Sequence, residues 1–221
     1  MSRTHEELEE QLRKLTLRVD ALELAQTRKR TISYGENHDL PMELQSAMAG
    51  QIYLVYTDGA AQANGSVAQN SSAAAVLIHG SAIAVESRFI PGGSNNVGEL
   101  EAIGLAAEIV QKFRGEEHQD VPVVIVSDSQ YAINVVTGFY RASKNVDLVK
   151  SVQSRTAMLS SVEIKWVRGH VGNPANELAD TLATNAIHKT EIPFSCVIAQ
   201  DDVTSKMLLM KASLNATGSL E

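Results

Sequence analysis

IYLVYTDGAAQANGSVAQNSSAAAVLIHGSAIAVESRFI, residues 52–90, contains three apolar runs parted by short polar connections. Residues 52–57 and 73–79 are strand-like, and Ile83 to Ile90 continues as a third run after a turn at Gly80 and Ser81. Three successive strands with short connections predict an antiparallel meander. After it the pattern alternates. Ser94, Asn95 and Asn96 can cap a helix whose apolar positions Leu100, Ile103, Leu105 and Ile109 continue to about Phe113. Val121 to Val126 reads as a buried strand, Ser129 to about Val136 as a short helix, Val146 to Leu159 as another, and Val162 to Val167 as the fifth strand. A last helix starts near Asn173 and Pro174, an early position that suits proline, and runs to about Ile187. A meander followed by strands alternating with helices predicts an α/β fold: a mixed five-stranded sheet with helices on its faces.

The flanking segments read differently. Leu8, Leu12, Leu15, Val19 and Leu22 recur at alternating spacings of four and three, so residues 1–27 are expected to form a coiled-coil helix. Leu8, Leu15 and Leu22 take d positions and Leu12 and Val19 take a. Arg18 at g and Glu23 at the next e suit a parallel homodimer through residues 5–25. Residues 28–50 begin with Arg28, Lys29 and Arg30, continue through Gly35, Asn37, Asp39 and Pro41, and read as a linker. The main domain then spans 51–190. Residues 191–221 read as a partly disordered extension with a short helix over Met207 to Leu214.

With 221 residues, 44% of them hydrophobic, the chain can bury a full core. It has no run of eighteen apolar residues and its N-terminus is charged, which predicts a cytoplasmic protein without a membrane partner. A single cysteine, Cys196, excludes an internal disulfide framework and any multi-cysteine metal site. The net charge of −7 counts against nucleic acid as a partner, because phosphates are met by Lys and Arg. Over residues 51–189 the imbalance shrinks to ten Lys and Arg against thirteen Asp and Glu. Cations bound to four of those acids would cancel it.

Asp58 closes the first apolar run, Asp128 closes the fourth, and Glu99 lies early in the first long helix. Such strand ends and a helix start can meet at one point of the sheet. Carboxylates crowded together repel one another unless cations sit between them, and an all-oxygen set favours Mg²⁺ or Mn²⁺. Two such ions about 3.5–4 Å apart suit in-line displacement at phosphorus. Asp180 lies inside the last helix. His170 precedes that helix in a Gly-containing loop, where an imidazole can take up or relay a proton.

Together YTDGA (56–60), SNNVGELEA (94–102), VSDSQYAI (126–133) and KWVRGHVGNPANELADTLA (165–183) resemble the type 1 ribonuclease H family over about residues 51–189, in order and spacing. The resemblance implies a ribonuclease H-like fold and an endoribonuclease that hydrolyses the RNA strand of RNA–DNA hybrids with little sequence preference, leaving 5′-phosphate and 3′-hydroxyl ends. It implies catalytic residues Asp58, Glu99, Asp128, His170 and Asp180, the four acids holding two divalent cations, Mg²⁺ or Mn²⁺. It also implies that Gly59, Asn96 and Gln130 face the minor groove and ribose hydroxyls of the RNA strand. Ser94, where the family commonly has threonine, and Asn95 would grip a DNA phosphate. Asn176 matches a further motif position, and Glu177 either supports the metal site or faces solvent. The basic, Trp-rich protrusion of many relatives has no counterpart in the short connection from Gly138 to Lys144. Two readings stay open beside this one: a non-catalytic nucleic-acid-binding or scaffold protein on the same fold, and a related dimetal nuclease with another nucleic-acid substrate.

Overall fold

The computed structural model describes residues 31–34, 41–62, 70–114, 120–169, 172–188, 190–200 and 202–220. The coiled-coil expectation for residues 5–25 and the basic Arg28–Arg30 lie outside them, as does His170.

Among the described residues seven strands form one sheet: β1 (Thr31–Tyr34), β2 (Tyr53–Ala61), β3 (Ser71–His79), β4 (Ala82–Ile90), β5 (Val123–Ser127), β6 (Val162–Trp166) and β7 (Ser195–Ile198). Their order across the sheet is β1-β6-β5-β2-β3-β4-β7. The meander β2–β3–β4 is antiparallel, and β5 and β6 add in parallel on the other side of β2. These are the five expected strands. Two edge strands extend the sheet beyond the expectation, β1 parallel to β6 and β7 antiparallel to β4. Both are four residues long, too short for alternation to separate them from loop.

The described residues also form six helices that flank the sheet: α1 (Pro41–Met48), α2 (Asn95–Arg114), α3 (Gln130–Val136), α4 (Val146–Ala157), α5 (Pro174–Ile187) and α6 (Val203–Thr217). The run Tyr53–Tyr56 is apolar at every position because both faces of β2 are covered. Tyr53 and Val55 join Ala75, Leu77 and Ile125 beneath Leu100, Ile103 and Ile109 of α2 and Val149 and Val152 of α4. Leu54 and Tyr56 join Val76, Ile78, Val85 and Val126 beneath Leu178 and Leu182 of α5. None of the helices, among the described residues, is long and apolar enough to cross a membrane.

The described parts of residues 28–50 and 191–221 hold more regular structure than their composition suggests. Within 28–50, α1 buries Ala47, and Glu43 forms an ion pair with Lys165 of β6. The short C-terminal helix expected over Met207 to Leu214 is the centre of the longer α6. Asp202 caps its start by accepting from the Ser205 amide at 2.7 Å, and Gly218 at φ 71° ends it. Val203, Met207, Met210 and Leu214 face the α5 core, while Leu208 and Leu209 stay exposed. Apolar residues on both sides of α6 blur the helical period, which hid its length.

Charge pairs fasten the opposite layer. The Arg155 guanidinium of α4 lies over Gly104 of α2, bonded to Glu101 and Glu108 at 2.8 Å each. Arg88 joins Glu108 to Glu86 of β4, and Lys112 closes on Glu86 at 2.6 Å. The connection after α3 is a turn without helix. Gly138 (φ 79°) and Asn145 (φ 56°) take left-handed backbone, and the Tyr140 amide donates to the Asn134 carbonyl at 3.0 Å.

Candidate active site

Strand register brings the first two acids together. β2 and β5 run parallel, about 4.8 Å apart, with Thr57 opposite Ser127, so Asp58 and Asp128 follow side by side in register. Asp58 lies within β2, which continues to Ala61, while Asp128 stands just past the end of β5. The Thr57 hydroxyl donates to the Val126 carbonyl at 2.9 Å and pins the strands next to the acids.

Glu99 arrives through a glycine crossing. A β-carbon on Gly59 would overlap the Glu99 amide nitrogen, and one on Gly98 would lie 2.5 Å from the Ser72 carbonyl oxygen and 3.3 Å from the Gly59 α-carbon. Only backbone without side chains lets α2 approach β2 this closely. The result is a cluster in which oxygens of Asp58, Glu99 and Asp128 lie within 4.8 Å of one another. Asp180 comes from α5 and is within hydrogen-bond reach of Asp58.

The cluster is buried as well as acidic. Asp58 and Glu99 are each 7% exposed, and Glu99 Oε2 is buried without a hydrogen-bond partner. Burial, reinforced by the charges of Asp128 and Asp180, pushes the Asp58 carboxyl up to about 8. Burial and the charges of Asp58 and Asp128 push Glu99 up to about 9, against hydrogen bonds from the Gly59 amide and the Asn95 side chain. Three hard oxygen donors at this spacing, one of them unpartnered, fit a divalent cation.

Several supports had no signal in the sequence pattern. Trp166 Nε1 donates to the Asp128 carbonyl at 2.9 Å. A β-carbon on Gly169 would stand 2.5 Å from Asp128 Oδ2, so glycine lets the loop leading to His170 pass against that carboxylate. Asn173 caps α5 by accepting from the Ala175 and Asn176 amides, and its own amide donates to the buried Tyr56 hydroxyl at 3.1 Å. That bond ties the start of the Asp180 helix to the Asp58 strand.

The other sequence candidates lie on, or at the start of, the same strand and helices as the acids, or on the helix that follows Asp128. Gly59 follows Asp58 in β2, and its amide donates to Asp58 Oδ1 at 2.8 Å. Ser94, Asn95 and Asn96 open α2, where the Ser94 carbonyl accepts from the Val97 and Gly98 amides; Asn95 and Asn96 are exposed. Gln130 is exposed one residue past Ser129, whose hydroxyl caps α3. Asn176 is buried, with Oδ1 unpartnered. Glu177 is bonded by Lys211 of α6 at 2.6 Å, a partner that neither residue's sequence context announces.

Comparison with known proteins places this arrangement. The RNase H family profile matches residues 50–188. A ribonuclease H of Granulibacter bethesdensis is 32% identical over 145 residues, covering 60% of this chain and 89% of that protein. A ribonuclease HI of Pseudomonas aeruginosa is 31% identical over 157 residues, covering 63% and 95%. Among solved structures, RNase H1 of Halobacterium salinarum superposes with a TM-score of 0.50 at 24% identity, covering 62% of this chain and 98% of its own, and so matches in fold. The strand order, the converging acids and the matched residues agree: this chain belongs to the RNase H family.

Proposed function

We propose that this protein is an endoribonuclease that hydrolyses the RNA strand of RNA–DNA hybrids, using Asp58, Glu99, Asp128 and Asp180 to hold two divalent cations, of which Mg²⁺ is the first choice. The observation that carries this reading is the convergence of the Asp58, Glu99 and Asp128 carboxylates, two of them buried and one with an unpartnered oxygen, in a chain of the RNase H family. Bound there, the cations would supply water activation and charge stabilisation at the scissile phosphate.

The chain's own residues do the rest. Asp58, within β2, and Asp128, just past the end of the parallel β5, fix the spacing of the donors. Glu99 and Asp180 close the set from two helices. Neutralised by cations, the four acids no longer repel a phosphodiester, which resolves the conflict between net charge and a nucleic-acid substrate. His170, which follows Gly169 in the sequence, takes up and returns the proton. Gly59, Asn96 and Gln130 read the RNA strand by its 2′-hydroxyls, the group that separates RNA from DNA, while Ser94 and Asn95 hold the DNA backbone and Asn176 supports substrate binding. Cleavage is nearly independent of sequence, because none of these contacts needs a base edge in the major groove. The heptads of residues 5–25 join two copies in the cytoplasm and raise the effective concentration of sites on one hybrid.

The test compares cleavage of labelled RNA–DNA hybrid, duplex RNA, single-stranded RNA and duplex DNA with Mg²⁺, Mn²⁺ or chelator. Only the hybrid should be cut, and only with metal; an intact hybrid under both metals sinks the proposal. Sedimentation of the chain carrying Leu15→Glu should give half the mass of the wild type if the heptads dimerise.

A further inference from the structure

We infer that Lys211, on a helix outside the family-matched region, tunes how tightly the acidic site holds divalent cations. The inference shares with the proposed function the assignment of Asp180 as a cation ligand, but not the nuclease activity. α6 spans Val203–Thr217, whereas the family match ends at residue 188. From α6, Lys211 donates to Glu177 Oε2 at 2.6 Å, with both side chains about 30% exposed. Buried Met207, Met210 and Leu214 hold α6 against α5, so the pair is set in place by packing on either side.

Glu177 stands three residues before Asp180, and i,i+3 positions are surface neighbours with β-carbons about 5–6 Å apart. One helical turn separates Glu177 from Asp180, which puts the Lys211 ammonium bonded to Glu177 on the order of 10 Å from Asp180. Without Lys211, Glu177 would be a fifth negative charge beside the cluster. With it, Glu177 and Lys211 cancel. Lys211 is thus a positioning and charge-setting residue acting through Glu177: it holds the acid in an ion pair and lowers the pull of the site on cations. At ~10 Å in water at about 0.01 M salt, uncovering one negative charge near a divalent cation changes its affinity by roughly threefold.

The sign separates this role from a structural one. If the pair only tethered α6, Lys211→Met and Glu177→Gln would weaken cation binding alike. By charge they act oppositely: Lys211→Met leaves a bare acid and tightens binding, Glu177→Gln leaves a bare cation and weakens it, and the double variant returns to the wild-type value. Calorimetric titration of the full chain with MgCl₂, without nucleic acid and at low salt, reads this directly. The half-saturating Mg²⁺ concentration should fall about threefold in Lys211→Met, rise comparably in Glu177→Gln, and stay unchanged in Lys211→Arg, with the differences vanishing in 1 M KCl. If Lys211→Met fails to fold, Lys211→Gln takes its place. Single variants that shift in the same direction, or not at all, overturn the inference. Loss of hybrid cleavage with these shifts intact would instead count against the nuclease assignment.

Discussion

Replacing Gly98 by alanine pits two effects of opposite sign against each other at the helix that carries Glu99. In an exposed helix the change would stabilise by about 1 kcal/mol, because alanine loses less backbone freedom on folding. Here the new β-carbon would meet the Ser72 carbonyl oxygen at 2.5 Å and the Ala60 carbonyl oxygen at 3.2 Å, both backbone atoms of paired strands that cannot turn aside. Restoring an ordinary contact of about 3.4 Å requires α2 to back away by about 0.9 Å, and overpacking of this kind costs about 1–3 kcal/mol. The clash outweighs the propensity gain, leaving a net loss of about 1 kcal/mol and a fall in melting temperature of about 2–4 °C for a domain of this size. Because Glu99 follows Gly98 directly, its carboxylate moves with the helix, and a displacement near 1 Å in a catalytic set costs about a hundredfold in rate. Calorimetry of the variant checks the first effect and single-turnover cleavage of hybrid the second. A Gly98→Ala protein that melts above the wild type would refute the close-approach argument outright.

Three other outcomes follow from the site. Asp58 at about 8 and Glu99 at about 9 hold protons in the folded state that the unfolded chain releases near pH 4, so cation-free stability should decline as pH rises from about 4 to 9; added Mg²⁺ displaces those protons and should raise the melting temperature more at pH 9 than at pH 6, a contrast that equal shifts would contradict. Asp128→Asn should abolish turnover while leaving the circular dichroism spectrum unchanged, and His170→Ala should slow cleavage without eliminating it; normal turnover by Asp128→Asn would move the site elsewhere. Asn173→Ala removes the α5 cap and the bond to Tyr56 and should destabilise by about 1–2 kcal/mol in urea unfolding, whereas a neutral result would show that the cap is idle.

What the sequence disclosed and what it withheld divide along physical lines. Patterns with a period were readable: the five central strands and the extents of α3 and α5 all follow from alternation or helical spacing. The meeting of Asp58 and Asp128 was legible because each follows an apolar run, and the two runs pair in parallel with Thr57 opposite Ser127. Features that depend on chains meeting across long separations left no local trace. Nothing near Gly98 says that Ser72 will lie against it, and nothing near Glu177 names Lys211, thirty-four positions away. The edge strands failed for want of length, and α6 because Leu208 and Leu209 make its outer side as apolar as its inner one.

The two edge strands also bear on how the molecule is to be handled. β1 and β7 shield the backbone of β6 and β4, yet both fall outside residues 50–188. A chain trimmed to the matched region would bare hydrogen-bonding groups on two sides at once, the condition under which sheets recruit strands from one another. Such a fragment should clump or pair edge to edge, so an oligomer seen only after trimming would report the cut and not the native assembly.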